Sequence, residues 1–431
     1  MISDTRSSLS DRLFLVLVAL LPVHTFYLRV EVAWKPWLIL LIAVVGLDLW
    51  GARRLPWSRR VMLGVALFLA TALISWPGSS AAAAFWRLWM GLVAGGLLML
   101  VTGDRVRDVD RVLRVVFWSG AVMGLTGFVL GLVTNGVFGE WAVTAVNQMA
   151  GIDRVNKPAY LGSGFVALTN WHQDPGYAAL WTNVWVVLGG FAWMRGAVRG
   201  PWWLGPAVLG GLICATILTL SRTGWLGLIV AITAIAVSHA RLGSGPLQRV
   251  AVLLTGALTA AVLLVGVQVA VDREGVGGDL LTALEFRFTY LVVLGAIDVG
   301  EVGVIDPDRI VDDNRLEVWA EYWERFTESP VRGIGLGTGW AQTGFQEPHN
   351  IWLQLLAETG LIGLIGFMVL LGSVVWRGGG PGPIAGSVLA VVGFAGLTQT
   401  VIFEPVLWFG LGLCLANVLN REAERPLVTV T

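Results

Sequence analysis

Arg222, Arg315 and His349 are the side chains of this sequence best suited to chemistry on a phosphorylated substrate. Arginine presents a planar fork of donors that fits two phosphate oxygens at once. A neutral imidazole takes a proton from a hydroxyl near physiological pH. His349 lies between Pro348 and Asn350, where an apolar run opens at Ile351, so the chain itself sets its height at a membrane surface. Arg315 follows Asp312, Asp313 and Asn314, residue types that cap a helix running from about Arg315 to Glu328. A helix start favours phosphate, whereas a solvated arginine paired with Asp312 or Asp313 is the competing reading. Arg222 sits in Ser221-Arg222-Thr223-Gly224, a short turn between apolar runs. It either snorkels from a helix end or acts close to membrane level, where an ionised group is costly and more often functional.

Other polar residues give weaker signals. His172 competes with His349 on the same side of the membrane, while His24 and His239 lie near span ends. Glu358 falls nine residues into an apolar run from Ile351 and is expected to form a structural ion pair with an arginine. Gly333, Gly335, Gly337 and Gly339 alternate outside any strand-then-helix context, which excludes a dinucleotide site. They are expected to allow a tight turn returning the His349 segment to the membrane. Asp306-Pro307-Asp308 and Asp312-Asp313 form an acidic run with no histidine spaced to complete a metal site, so a solvated loop is expected. No cofactor is expected.

These residues need a scaffold, and composition says which kind. The 431 residues are 56% hydrophobic and 13% charged, with 22 Trp. Soluble domains carry about 25% charged residues, so the chain is expected to be an all-α polytopic membrane protein. Lys35 and Lys157 are the lysines among the 29 basic residues, and no basic face gathers the arginines for nucleic acid. Cys214 and Cys414 lie in apolar runs, which excludes a disulfide framework. Helices of about 20 apolar residues cross a bilayer. Twelve spans are expected, at 12–28, 36–51, 61–77, 83–102, 112–134, 176–194, 202–220, 223–239, 250–271, 351–375, 383–400 and 404–420.

Arginines recur at alternate ends of these spans: Arg6 and Arg12, Arg53 to Arg60, Arg105 to Arg114, Arg195 and Arg199, Arg241 and Arg249, Arg377, and Arg421 and Arg425. The positive-inside bias makes that side, and both termini, cytoplasmic. The expected organisation is 1–271 for nine helices with a medium outer loop at 135–175, 272–350 for a large outer loop, and 351–431 for three helices and a cytoplasmic tail. Within the large loop Leu316, Trp319, Trp323 and Phe326 recur at helical spacing, an apolar stripe suited to the membrane surface or the bundle. Residues 280–297 are a second apolar stretch, broken by Glu285 and Arg287.

Taken together, the region from Arg315 to Phe367 resembles the O-antigen ligase and O-antigen polymerase superfamily of bacterial membrane glycosyltransferases, of the GT-C type. The resemblance rests on Ser329-Pro330-Val331-Arg332-Gly333-Ile334-Gly335, His349-Asn350 and Glu358-Thr359-Gly360-Leu361-Ile362-Gly363. Upstream, Ser221-Arg222-Thr223-Gly224 and Asp174-Pro175-Gly176-Tyr177-Ala178 match further family features. The resemblance implies transfer of a glycan from a polyprenyl (undecaprenyl) diphosphate carrier to a glycan, lipid or protein acceptor hydroxyl, without metal and with inversion. It implies that Arg222 and Arg315 hold the diphosphate and His349 is the base, with Arg154, Arg332, Glu358 and Asn350 supporting them. It places the protein in the bacterial inner membrane with its site on the outer face. A repeat-unit polymerase of the same superfamily is the nearest alternative. A polysaccharide or lipid transporter is the alternative of a different class, disfavoured because the polar residues gather at one outer end rather than at the bilayer midplane.

Overall fold

The computed structural model describes residues 2–23, 28–30, 32–50, 59–135, 137–139, 141–142, 144, 168, 172, 174–241, 246–274, 280, 283–284, 315–339, 347–376 and 380–424. Arg154, most of the 135–175 loop and all but a few residues of 275–314, with the acidic run and Asn314, lie outside them. The described residues are helical, with one hairpin of three-residue strands among them, Leu28–Val30 against Val32–Trp34. The helices are α1 (Ile2–Leu20), α2 (Pro36–Trp50), α3 (Arg59–Ile74), α4 (Ala82–Arg105), α5 (Val109–Thr134), α6 (Pro175–Met194) and α7 (Leu204–Leu218). They continue with α8 (Arg222–Arg241), α9 (Pro246–Glu274), α10 (Arg315–Glu328), α11 (Ile351–Val375), α12 (Pro383–Ala395) and α13 (Pro405–Glu424).

Each of the twelve expected spans overlaps one of these helices, although that at 12–28 leaves α1 at Leu20 and ends in the strand Leu28–Val30, and α10 falls within the expected loop 272–350. Among the described residues, four helical segments are long and apolar enough to cross a membrane: Arg59–Gly78, Ala82–Arg105, Val109–Thr134 and Ile351–Val375. Six shorter apolar helical stretches accompany them, such as Leu204–Leu218, which at about 1.5 Å per residue is roughly 22 Å long.

Two compact units divide the chain. The first comprises Met1–Val16, Leu40–Val109 and Asp313–Thr431; the second comprises Leu17–Ile39 and Asp110–Asp312. In the second unit α6 is buried from Pro175 to Ala192, as a helix apolar all round should be. It packs against α7 and α8, and α9 lies along α7. Small residues bring these helices close: a Cβ on Gly124 would stand 3.0 Å from the Gly211 backbone. Buried polar groups are matched, with Thr216 donating to Thr182 at 2.8 Å and Asn183 Nδ2 donating to the Gly224 carbonyl at 2.8 Å.

In the first unit α4 packs along α13 and α3 along α11, while α10 lies on α11. The two ends of α4, about 36 Å apart, are chemically different. At its C-terminus the Arg105 side chain, 2% exposed, pairs with Asp11 and Asp48 and donates to Ser10 Oγ at 2.7 Å. Arg105 is therefore more than a topological marker; it ties α1, α2 and α4 together. At the other end, Ser79 Oγ accepts from Thr338 Oγ1 at 3.1 Å, next to the glycine-rich turn.

Candidate active site

The glycine-rich turn is built around a break in α11. Gly360 adopts φ 66°, ψ −170° inside that helix, a conformation essentially reserved for glycine. The break frees backbone groups that a regular helix would satisfy internally, and the turn takes them up. Ile334 N–H donates to the Ala357 carbonyl and Gly335 N–H to the Glu358 carbonyl, both at 2.9 Å. In return Leu361 N–H donates to the Pro330 carbonyl at 2.9 Å and Ile362 N–H to that of Val331 at 3.2 Å. The approach leaves no room for side chains: a Cβ on Gly360 would lie 2.4 Å from the Val331 carbonyl oxygen, and one on Gly333 2.4 Å from the Glu358 carbonyl carbon. Pro330-Val331-Arg332-Gly333 and Glu358-Thr359-Gly360, far apart in sequence, are thus two halves of one backbone joint.

The joint bends α11. Trp352 and Phe367 are fifteen positions apart, about 22 Å along a straight helix, yet their ring centroids are 6.1 Å apart. The expected span at 351–375 keeps its bounds as α11 and is broken within at Gly360. Glu358, on the first half, is 1% exposed. Its carboxylate accepts from Gln354 Nε2 at 3.2 Å and from the Gly337 backbone. No ion pair engages it among the described residues, so the expected arginine partner is replaced by an amide and a backbone N–H. The expected role of the glycines is also refined: Gly333, Gly335 and Gly337 have positive φ, and they fit the turn against α11, Ser79 and Ala84.

Helix α10 covers this joint. Val318 and Tyr322 are buried with Ala357, and Phe326 and Leu353 pack beside them. The expected stripe is therefore rotated: Trp323 is 55% exposed and lies against Phe326, with ring centroids 5.2 Å apart. Trp319 serves another purpose, donating its indole N–H to the Pro348 carbonyl at 2.7 Å. That bond ties α10 to the residue preceding His349. Arg315 opens α10 one turn earlier, about 6 Å along the axis. Burial, and after it the Glu358 and Glu347 carboxylates, push the Tyr322 phenol up, so its hydroxyl stays protonated.

His349 occupies the turn entering α11 with φ 48°, a left-handed conformation unusual for a non-glycine residue. Asn350 caps the helix, its Oδ1 accepting from the backbone of Trp352 and Leu353 at 3.0 and 3.1 Å. Ile351 N–H donates to the Gly396 carbonyl at 2.9 Å, and Asn350 Nδ2 donates to that of Leu397 at 3.3 Å. His349 Nδ1 lies 3.1 Å from Gln399 Oε1. An amide oxygen only accepts, so a neutral imidazole bonded to it carries its proton on Nδ1 and leaves Nε2 as the basic nitrogen. Neither Gln399 nor the Gly360 break was apparent from sequence. Gln399 sits on a connection behind α12 with no motif around it, and an isolated glycine in an apolar run reads as helix.

The second unit holds Arg222 and His172. Arg222 is the first residue of α8, whose start is capped by Ser221 Oγ accepting from Gly224 N–H at 3.1 Å. A Cβ on Gly224 would meet that of Ala179 at 2.4 Å, so this glycine lets α8 approach α6. Asp174 caps α6, its Oδ1 accepting from Gly176 N–H at 2.7 Å, with Pro175 in the first turn. His172 is buried, its Nδ1 accepting from the Asp174 backbone at 3.4 Å and its ring 5.2 Å from Tyr177. That packing makes His172 part of the α6 cap. Arg332 is exposed on the turn of the first unit.

No group of three or more histidine, cysteine, aspartate or glutamate side chains suited to a metal ion occurs among the described residues. Among curated proteins, no sequence matches the chain. Residues 207–368 match the family model described as O-antigen ligase, a stretch containing Arg222, Arg315, the glycine joint and His349.

Proposed function

We propose that this protein is a glycosyltransferase that moves a glycan from a polyprenyl (undecaprenyl) diphosphate carrier to an acceptor hydroxyl during cell-surface polysaccharide assembly. The observation that carries the reading is His349 itself. It lies in the family-matched stretch, held by a left-handed turn, with Gln399 fixing the tautomer that makes Nε2 the base. In the reaction the acceptor O–H gives its proton to Nε2. The oxygen then attacks the anomeric carbon opposite the diphosphate, the C–O bond to phosphate breaks, and its electrons leave with the diphosphate. Configuration inverts.

Arg222 and Arg315 would stabilise the departing charge in place of a metal, each opening a helix whose free N–H groups add partial positive charge. This requires the two arginines and His349 to meet at one cavity on the outer face of the inner membrane. In the same reading the twelve apolar helices all cross the bilayer and both termini are cytoplasmic. Arg154 and Arg332 would contribute nearby positive charge.

The test is transfer in membranes containing His349→Ala at unchanged protein level. Loss of transfer is expected, and retained transfer would remove His349 from the mechanism. Glycan crossing vesicle membranes without a new linkage would support a transporter instead. In a deletion strain, long glycans left on the carrier indicate a ligase, whereas single repeat units indicate the polymerase of the same superfamily.

A further inference from the structure

Next to His349 the first unit contains an apolar groove of about 260 Å³ between the second half of α11 and α12. Ile351 and Trp352, the residues that follow His349 and Asn350, line one end, where Ile351 is tied to Gly396. From there it passes Phe367, Met368 and Leu371 on one side and Leu389 and Gly393 on the other. The lining consists of apolar side chains and glycines, with the indole N–H groups of Trp352 and Trp376 as its side-chain donors. Met368 is 44% exposed and Trp376, towards the far end of α11, 80%. The groove thus opens sideways, away from the packed core.

Gly393 shows that its space is real. A Cβ built there meets no heavy atom within 4 Å, and one on Gly372 touches Trp376 alone, at 3.4 Å. A helix that retains glycine beside empty space, where alanine would be favoured by about 1 kcal/mol, leaves a slot for something from outside the fold.

We propose that this groove holds the isoprenoid chain of the lipid-diphosphate donor. The inference rests on the function proposed above and locates the tail subsite of that substrate. Continuity argues for this occupant: the residues forming the groove's end are the first turn of the helix that presents His349, and the Gly396 turn beside them leads to Gln399. A chain lying in the groove would deliver its head group at the base. Burying methylenes there contributes affinity that the head group alone cannot supply.

The experiment uses the full chain in nanodiscs, with binding of undecaprenyl diphosphate and inorganic diphosphate measured side by side. Gly393→Leu should weaken undecaprenyl diphosphate by about tenfold or more and leave inorganic diphosphate unchanged. Gly266→Leu, on α9 and likewise facing open space, should change neither. Equal binding of undecaprenyl diphosphate by Gly393→Leu and the wild type would overturn the proposal, as would an equal loss for both ligands.

A second measurement needs no variant. Undecaprenyl diphosphate carrying a diazirine on its tail should label the segments around Met368 and Leu389. Labelling there by a diazirine phosphatidylcholine alone would assign the groove to bulk lipid and overturn the proposal. If His349→Ala abolishes transfer while Gly393→Leu binds normally, the function stands and the tail site falls.

Discussion

Replacing Gly360 with alanine should unseat the glycine turn from α11. At φ 66°, ψ −170° a residue with a Cβ is strained by about 1–3 kcal/mol. The added methyl would stand 2.4 Å from the Val331 carbonyl oxygen and 2.6 Å from Gly333 N, both rigid backbone. Overpacking of that kind adds about 1–3 kcal/mol. The structure has two ways to respond. If the joint holds, the first unit loses roughly 2–6 kcal/mol, which at about 2–4 °C per kcal/mol lowers its melting temperature by at least 4 °C. If the joint opens, the four backbone hydrogen bonds between turn and helix are lost, together with the Gly337 contact to Glu358. Either way the α10 contact with α11 shifts, and transfer should fall. The assay is thermal melting of the detergent-solubilised protein alongside glycan transfer. Gly46→Ala on α2 serves as control, because a Cβ there meets no heavy atom within 4 Å and alanine favours the helix. A Gly360→Ala protein with wild-type melting and transfer would refute the joint as described.

Three further outcomes follow from the same geometry. Gln399→Leu removes the acceptor that holds His349 Nδ1–H and should lower kcat by about tenfold to a hundredfold with KM little changed, part of the effect of losing a general base. Unchanged kcat in steady-state assays would dismiss the tautomer argument. Arg222→Lys keeps the charge but loses the two-pronged fork, so diphosphate binding should weaken, and wild-type binding would leave Arg222 as a snorkelling residue. Glu358→Gln should stabilise the protein by about 0.5–1.5 kcal/mol. Glu358 Oε1 and Gln354 Oε1 are both buried acceptors lacking a donor, and the new amide supplies one. A lower melting temperature for that variant would mean the carboxylate itself is required.

Much of the fold was legible because apolar runs of the right length mark buried or membrane-facing helices almost unaided; each of the twelve runs overlaps a helix, though that at 12–28 leaves its helix at Leu20. Helix starts were legible too, since Asp174-Pro175 and Pro348-His349-Asn350 carry local capping chemistry. Failures came where distant segments decide. The side of α10 that faces inward depends on α11, so a stripe counted from Trp319 and Trp323 gave way to Val318 and Tyr322. Glu358 looked like half of an ion pair because hydropathy places it deep, yet its partners are an amide one turn away and a backbone N–H across the joint. The break at Gly360 is stabilised by residues 330–335, which no local pattern in α11 announces. Of the proposed site, His349 and the arginines are read from residue chemistry and family resemblance, whereas the Gln399 contact needed the tertiary structure.

The central claim is tested most directly by an electron cryo-microscopy structure of the full chain in nanodiscs with undecaprenyl diphosphate bound. The account expects both phosphates within hydrogen-bonding distance of the Arg222 and Arg315 guanidiniums, on the membrane face opposite the Arg105 cluster, with His349 Nε2 directed at the carrier's sugar-bearing oxygen. A head group bound away from these three side chains, or on the Arg105 side, would contradict it.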